Sequence, residues 1–253
     1  MGREVPAAPV RNNDANITSR RVYPLRRDGD YIMNISSDTV AILKNFSDIN
    51  QNILVKPGNQ LQTISTLKNI LAQADVSEKF EQEFAIYDLP EFLRAVDLFD
   101  KSDLAFNGGQ NLTIKDSNSK QAIKYYFADK SVVVAPTKMI TMPDKYVTFS
   151  LKKDVFEKLM KGVTTLNLPD IAVTGDGSEI KLVATDKKTP SSNDYSFVIG
   201  ETDKTFKAYF KTENFKMIKD DYDVAISSQK ISHFINRNKP IQYWIAIEPD
   251  SEF

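Results

Sequence analysis

Residues 170–186, DIAVTGDGSEIKLVATD, alternate apolar and polar side chains on both sides of Gly175-Asp176-Gly177. This is the pattern of two half-buried strands joined by a tight turn. A second unit of the same kind, DLAF-NGGQ-NLTI at 103–114, turns on Asn107-Gly108-Gly109. Links this short join antiparallel neighbours, because parallel strands need a crossover of about a dozen residues or more. The fold is therefore expected to be α+β with antiparallel sheets.

Working outward, further strands are expected at 53–56, 60–66, 69–75, 83–88, 120–127, 145–150, 194–200, 205–210, 221–228, 231–237 and 240–248. Four helices interrupt them. Ser36-Ser37-Asp38 offer cap oxygens to the first, with Val40, Ile42, Leu43, Phe46 and Ile49 at helical spacing. Pro90 opens the second, whose apolar face is Phe92, Leu93, Val96 and Phe99. The third, 152–166, is expected to bury Val155, Leu159 and Val163, and TENFKMI (212–218) reads as a short fourth. Helix–strands–helix–strands thus occurs twice, in halves 33–127 and 145–253 with two helices each. Residues 128–144, ADKSVVVAPTKMITMPD, fit neither period and read as a connector. Residues 1–32 hold six arginines, no lysine and three prolines, and are expected to be a disordered arm.

The composition removes most chemistry. The 253 residues contain no cysteine and one histidine, with 33 basic residues against 34 acidic. Thiolate sites, disulfides and multi-histidine metal centres are excluded. No GxxxxGK[ST] or GxGxxG loop is present. His233, in the strand ISHFIN, is expected to be structural or on the surface, and Asp220, Asp221 and Asp223 read as a solvated turn. No catalytic residue, metal ligand or cofactor is assigned, which argues against an enzyme. No apolar run reaches the ~18–20 residues of a membrane span, and the N-terminus lacks a signal peptide's apolar stretch, so a soluble intracellular protein is expected.

What remains is the placement of positive charge. Lys152, Lys153, Lys158 and Lys161 lie on the third helix, Lys211, Lys216 and Lys219 on or beside the fourth, Lys44 on the first and Arg94 on the second. Solvated helix faces explain any one of them. Together they read as candidate phosphate contacts that carry no base readout. A single-stranded nucleic-acid protein is the alternative, although the lysine helices lack interleaved stacking aromatics; a nuclease using the aspartates is a third possibility. In the connector, Val133, Val134, Pro136, Ile140 and Met142 are apolar without a pattern that buries them all. They suggest a part-exposed peptide groove with Trp244 as a wall, or else they and Trp244 are core.

From residue 33 onward the sequence resembles the trimeric DNA sliding clamps of T-even-type bacteriophages. The resemblance is carried by MNISSDTVAILKNFSDIN (33–50), FAIYDLPEFL (84–93), VVAPTK (133–138) and the acidic end closing on Phe253. It implies a homotrimeric ring around duplex DNA, tethering the replicative DNA polymerase in the cytoplasm of an infected host bacterium. Edge strands would pair between copies, the long apolar final strands being expected to need such partners. It also implies loading by an ATP-driven clamp loader, and contact with a sigma-like factor in late transcription.

Overall fold

The computed structural model describes residues 30–138 and 140–253. The first half runs β1 (Asp30–Asn34), α1 (Ser37–Ile49), β2 (Ile53–Val55), β3 (Gly58–Ile64), β4 (Ile70–Phe80), β5 (Phe84–Ile86), α2 (Leu89–Asp97), β6 (Ser102–Asn107), β7 (Asn111–Asp116) and β8 (Ala122–Tyr126). The second half repeats that order with β9 (Val147–Leu151), α3 (Lys153–Leu166), β10 (Asp170–Asp176), β11 (Glu179–Thr185), β12 (Tyr195–Glu201), β13 (Thr205–Lys211), a 3-10 turn (Thr212–Asn214), β14 (Tyr222–Ile226), β15 (Ile231–Asn236) and β16 (Ile241–Ala246). Sheet topology repeats as well. β1-β6-β7-β8 corresponds to β9-β14-β15-β16, and β12-β11-β10-β13 corresponds to β4-β3 followed by β2-β5.

One joint unites the halves. β16 pairs with β4, merging their strands into the six-stranded sheet β3-β4-β16-β15-β14-β9. Small residues of β4 face large ones of β16, Ala72 opposite Tyr243 and Ala74 opposite Ile241, and all four are buried in the core. The final strands therefore find their partners inside the chain, contrary to the expectation that another copy supplies them. Among the described strands, β8 and β12 are edges paired on one side only, as are β1, β13, β3 and β9 at the other sheet ends.

Helices α1 and α2 form where their caps predict. Ser36 Oγ accepts from Thr39 N at 3.2 Å to start α1, and Asp88 Oδ1 accepts from Glu91 N at 2.7 Å to start α2. The buried carboxylate of Glu78, on β4, also accepts from Ser36 N and Thr39 Oγ1, so a strand carboxylate anchors the positive end of α1. On α3 the buried stripe is Phe156, Leu159 and Val163, while Val155 is half-buried. The inward face is thus rotated by one residue from the sequence expectation, because Phe156 has an aromatic pocket to fill. Phe215 and Tyr222 stand edge-on to it at 6.2 and 6.3 Å.

Two expectations are corrected. TENFKMI is a three-residue 3-10 turn followed by irregular chain, so the second half holds one helix rather than two. A seven-residue helix is too short to be stable alone, and tertiary contacts hold the segment in another shape: Asn45 Nδ2 donates to the backbone carbonyl of Lys216 at 2.7 Å, and Asn69 Nδ2 donates to the side-chain Oδ1 of Asn214 at 2.8 Å. The arm boundary at residue 32 also falls too late. Tyr31, on β1, is buried and stacks on Phe106 at 4.3 Å with ring planes 3° apart. The rest of that arm, residues 1–29, lies outside the described residues.

Candidate nucleic-acid interface and connector groove

The basic residues divide by what holds them. Lys158 and Lys161 point away from the buried stripe of α3; Lys158 has only an i,i+4 contact with Asp154 at 3.4 Å. Lys161, Arg94 and Lys219 are exposed and make no ion pair among the described residues. Lys44 bridges α1 to α2 through Asp97 at 2.8 Å, both groups more than half exposed, a contact of the weak surface kind. Lys152 lies 4.0 Å from Asp221, whose carboxylate also accepts from the backbone N of Lys153. Lys216 Nζ donates to Asp48 O at 2.8 Å, at the negative end of α1, which ties the halves together.

Lys211 is different. Its ammonium sits 2.6 Å from the buried carboxylate of Asp170 and 3.9 Å from Glu248, so it belongs to the interior of the second half rather than to a free basic face. Asp220, Asp221 and Asp223, read from the sequence as a solvated turn, also diverge, and Asp220 is buried. Asp220 accepts from Asn238 Nδ2 at 2.6 Å and Asp221 N at 2.8 Å, Asp221 takes the amide of Lys153, and Asp223 pairs with Arg237. The hydrogen bonds hold the Asp220 carboxyl below its ordinary value, although burial works in the opposite direction.

The connector is pinned at both ends. Asp129 Oδ1 accepts from Ser131 N at 2.8 Å and caps a 3-10 turn at Lys130–Val132. Val134 N donates to Asn52 Oδ1 at 2.8 Å, and Val134 O accepts from the Asn50 amide at 3.3 Å. At the far end Asp144 accepts from Ser227 Oγ, Ser228 N and Ser228 Oγ in the β14–β15 turn. Between these anchors Pro136 is buried, while Val133, Val134, Ile140 and Met142 are half-buried. A cavity of about 160 Å³ lies between Ala135 and Pro136 on one side and Leu54, Pro57, Gln60 and Gln62 on the other.

Trp244 is buried, but it is not part of the main core. It alternates with the core residues Tyr243 and Ile245, so it takes the opposite face of the six-stranded sheet, across from Leu71. Its ring stacks on His233 at 4.5 Å with planes 6° apart, and its indole N–H has no acceptor. Burial pushes the His233 imidazole below its ordinary pKa, against a 2.8 Å hydrogen bond with Gln242 Oε1. Burial thereby favours the neutral ring.

Residues 36–135 match the family model described as DNA polymerase processivity factor, and residues 148–249 match the C-terminal part of the gp45 sliding clamp. The sliding clamp of Vibrio phage KVP40 is 35% identical to this chain over 222 residues, covering 85% of this chain and 99% of the relative. The chain belongs to the bacteriophage sliding-clamp family. The sliding clamp of Enterobacteria phage T4 is 29% identical over 227 residues, covering 87% of this chain and 98% of that one. In the proliferating cellular nuclear antigen of Entamoeba histolytica the likeness is of fold alone, with a TM-score of 0.65 at 14% identity over 87% of this chain and 98% of that one.

Sequence reasoning missed part of the exposed surface. Leu67, at the tip of the β3–β4 turn, is 79% exposed. A depression of about 310 Å³ opens beside His233, lined by Lys145, Thr148, Phe149, Ala225 and Ile235. Period-2 alternation assigns these residues to one sheet face but does not say whether that face is covered. A lone large apolar residue in a tight turn was the one signal available, at Leu67.

Proposed function

We propose that three copies of this clamp close head to tail into a ring around duplex DNA and tether the replicative polymerase to it. One observation carries the reading. The two halves correspond strand for strand, and inside the chain β16 of one half pairs with β4 of the other. Their counterparts, β8 and β12, are edges unpaired on one side. Pairing β8 of one copy with β12 of the next reproduces the internal joint, so three copies make six halves with six like joints. Closure also removes two edges that would otherwise invite uncontrolled association.

Within such a ring Lys44, Arg94, Lys152, Lys153, Lys158, Lys161, Lys216 and Lys219 supply phosphate contacts without base readout. A slightly acidic protein with scattered lysines suits sliding, because topology retains the DNA and the contacts themselves can stay weak. The connector residues Val133, Val134, Pro136, Ile140 and Met142 form a groove for short apolar peptides of polymerase, with Trp244, on the sheet face that carries His233, as its proposed wall. An ATP-driven loader and a late-transcription sigma-like factor use the same three grooves in turn, within the infected bacterium. The comparisons lend nothing to the single-stranded alternative.

Sedimentation equilibrium tests the ring: three chain masses are expected, and a monomer at every concentration would defeat the reading. Polymerase run length on primed circular template, with and without the clamp, tests the tether.

A further inference from the structure

In each half the chain leaving the last strand folds back over a neighbouring edge. After β8, Ala128 N donates to Ala85 O of β5 at 2.9 Å, and Phe127 stacks on Phe84 at 5.0 Å before the chain runs into the connector. After β16, the equivalent strap is residues 248–253, which lie along β13. Lys207 and Glu252 exchange two backbone hydrogen bonds of 2.9 Å, and Glu248 N donates to Tyr209 O at 2.8 Å.

The second strap is held largely by side chains at its rim. Ser251 Oγ accepts from Tyr209 N at 2.9 Å. Lys187 Nζ lies 2.7 Å from Asp250 and 3.5 Å from Glu248. The Lys230 ammonium donates to Ser251 O and stands 5.0 Å over the ring of Phe253. Phe253 enters a slot beside Tyr146 and Phe206, with ring centroids at 5.4 and 6.4 Å. Pro249, Asp250 and Glu252 stay exposed, Phe253 is half-buried and only the polar Ser251 is buried, so the strap covers an edge without becoming apolar core.

We propose that the β13 edge and its aromatic slot form a second peptide-docking site on the clamp, which accepts from another chain an acidic peptide with a phenylalanine in the place of Phe253. Residues 248–253 are then the occupant in cis. The recognition is strand addition: main-chain bonds to β13 hold the peptide, and alternate side chains select it. Lys187, beside Glu248 and Asp250, and Lys230, over the Phe253 ring, match the acidic character of the strap in sign. The site is separate from the connector groove, but Tyr146 directly follows the connector, so its occupancy bears on how the connector's end is held. Segments of this kind, with few buried apolar contacts and exposed backbone, are the ones that open locally without global unfolding.

The test is binding of a fluorescent peptide EPDSEF to the full chain, followed by anisotropy, and needs neither DNA nor polymerase. A tethered occupant competes at an effective concentration of millimolar order, so Phe253→Ala, which weakens it, should tighten peptide binding by about tenfold or more. A peptide ending in alanine should not bind, and adding Lys230→Ala should abolish the gain. Equal binding to the parent and to Phe253→Ala, or no binding to either, overturns the proposal. If Phe253→Ala does not melt cooperatively, Glu252→Pro, which removes one bridge donor and leaves the slot intact, carries the measurement. Failure of both variants to fold also overturns it, since the strap would then be a fixed part of the fold.

Discussion

Lys211 Nζ lies 2.6 Å from Oδ1 of Asp170, a carboxylate that is 1% exposed at the start of β10. Asp170 also accepts from Lys187 N at 3.2 Å, so two nitrogen donors from separate segments share one buried acid. Removing the ammonium strands part of that charge. Lys211→Ala should therefore lower stability by about 1–3 kcal/mol and leave the salt dependence of DNA association unchanged. Replacing Arg94, Lys158, Lys161 and Lys219 together with alanine should do the reverse. Melting stays near that of the parent, while the log–log salt slope flattens by about 0.9 for each phosphate no longer neutralised. Fluorescence titrations over a salt series decide it; an unaltered slope would mean these four side chains face away from the duplex.

That contrast marks where sequence reasoning stops. Spacing identified α1, α2 and α3, both hairpins and the repeated element order, because each rests on local periodicity and turn chemistry. It did not separate Lys211 from Lys158, since both read as cations on amphipathic segments and only the fold brings Asp170 to one of them. The same holds for 212–218: its local pattern is helical, yet Asn45 and Asn69, more than a hundred residues away, bind Lys216 O and the Asn214 side chain and hold the segment in a non-helical path. The β4–β16 joint was equally invisible, because alternation reveals a strand's faces and not its neighbour.

Truncation at residue 32 and truncation at residue 29 should behave differently. The longer cut removes Tyr31, whose ring stacks on Phe106 beneath β1. Loss of a large buried aromatic side chain costs about 3–5 kcal/mol, so Tyr31→Ala should reproduce most of the destabilisation of the longer cut. Urea denaturation of the three variants is the measurement. Equal stability of both truncations would show that β1 contributes little.

Ring closure can be attacked without touching the core. Tyr126 on β8 and Val198 on β12 are 63% and 58% exposed, so a charge at either position costs the single chain little. In paired edges the same charge would meet another strand's side chains at about 5 Å. Tyr126→Asp combined with Val198→Asp is expected to give a monomer that melts like the parent's dissociated chain. A mass still three times the chain's would place the contact elsewhere.

Part of the acid sensitivity should arise at the start of α1. Burial tends to raise the Glu78 pKa, but hydrogen bonds from Thr39 and Ser36 outweigh it and hold the carboxyl below its ordinary 4.5. A carboxyl depressed in the folded state stabilises fully above its unfolded value and loses that contribution as pH falls through the folded one. Thermal melts from neutral pH downward should show a loss beginning below about 4.5 that Glu78→Gln lacks. At neutral pH that variant should already be less stable, by about 1–3 kcal/mol. Parallel pH profiles for parent and variant would assign the acid transition to other groups.

The connector separates two physical possibilities for its apolar residues. Val134 is held through its backbone, by Asn52 and Asn50, so its side chain is free of any structural hydrogen-bonding duty. Ile140 is half-buried between Pro136, which is buried, and Asp144, which is locked to the β14–β15 turn. A charge at either side chain should therefore leave the backbone anchors in place. If these residues border a groove, Val134→Glu and Ile140→Glu abolish polymerase stimulation while mass and melting temperature stay at parent values. Burying two or three such side chains at about 1.5–3 kcal/mol each, less the ordering cost of a flexible peptide, corresponds to micromolar-scale binding at one groove. Trp244→Phe keeps an aromatic ring on His233 and removes the unpaired indole N–H; if Trp244 walls the groove, it should lower peptide affinity by more than its modest loss of packing lowers stability. Collapse of the fold on charging Val134 would instead make the connector part of the core, and the docking surface would then have to be sought at the exposed Leu67 turn and the depression beside His233.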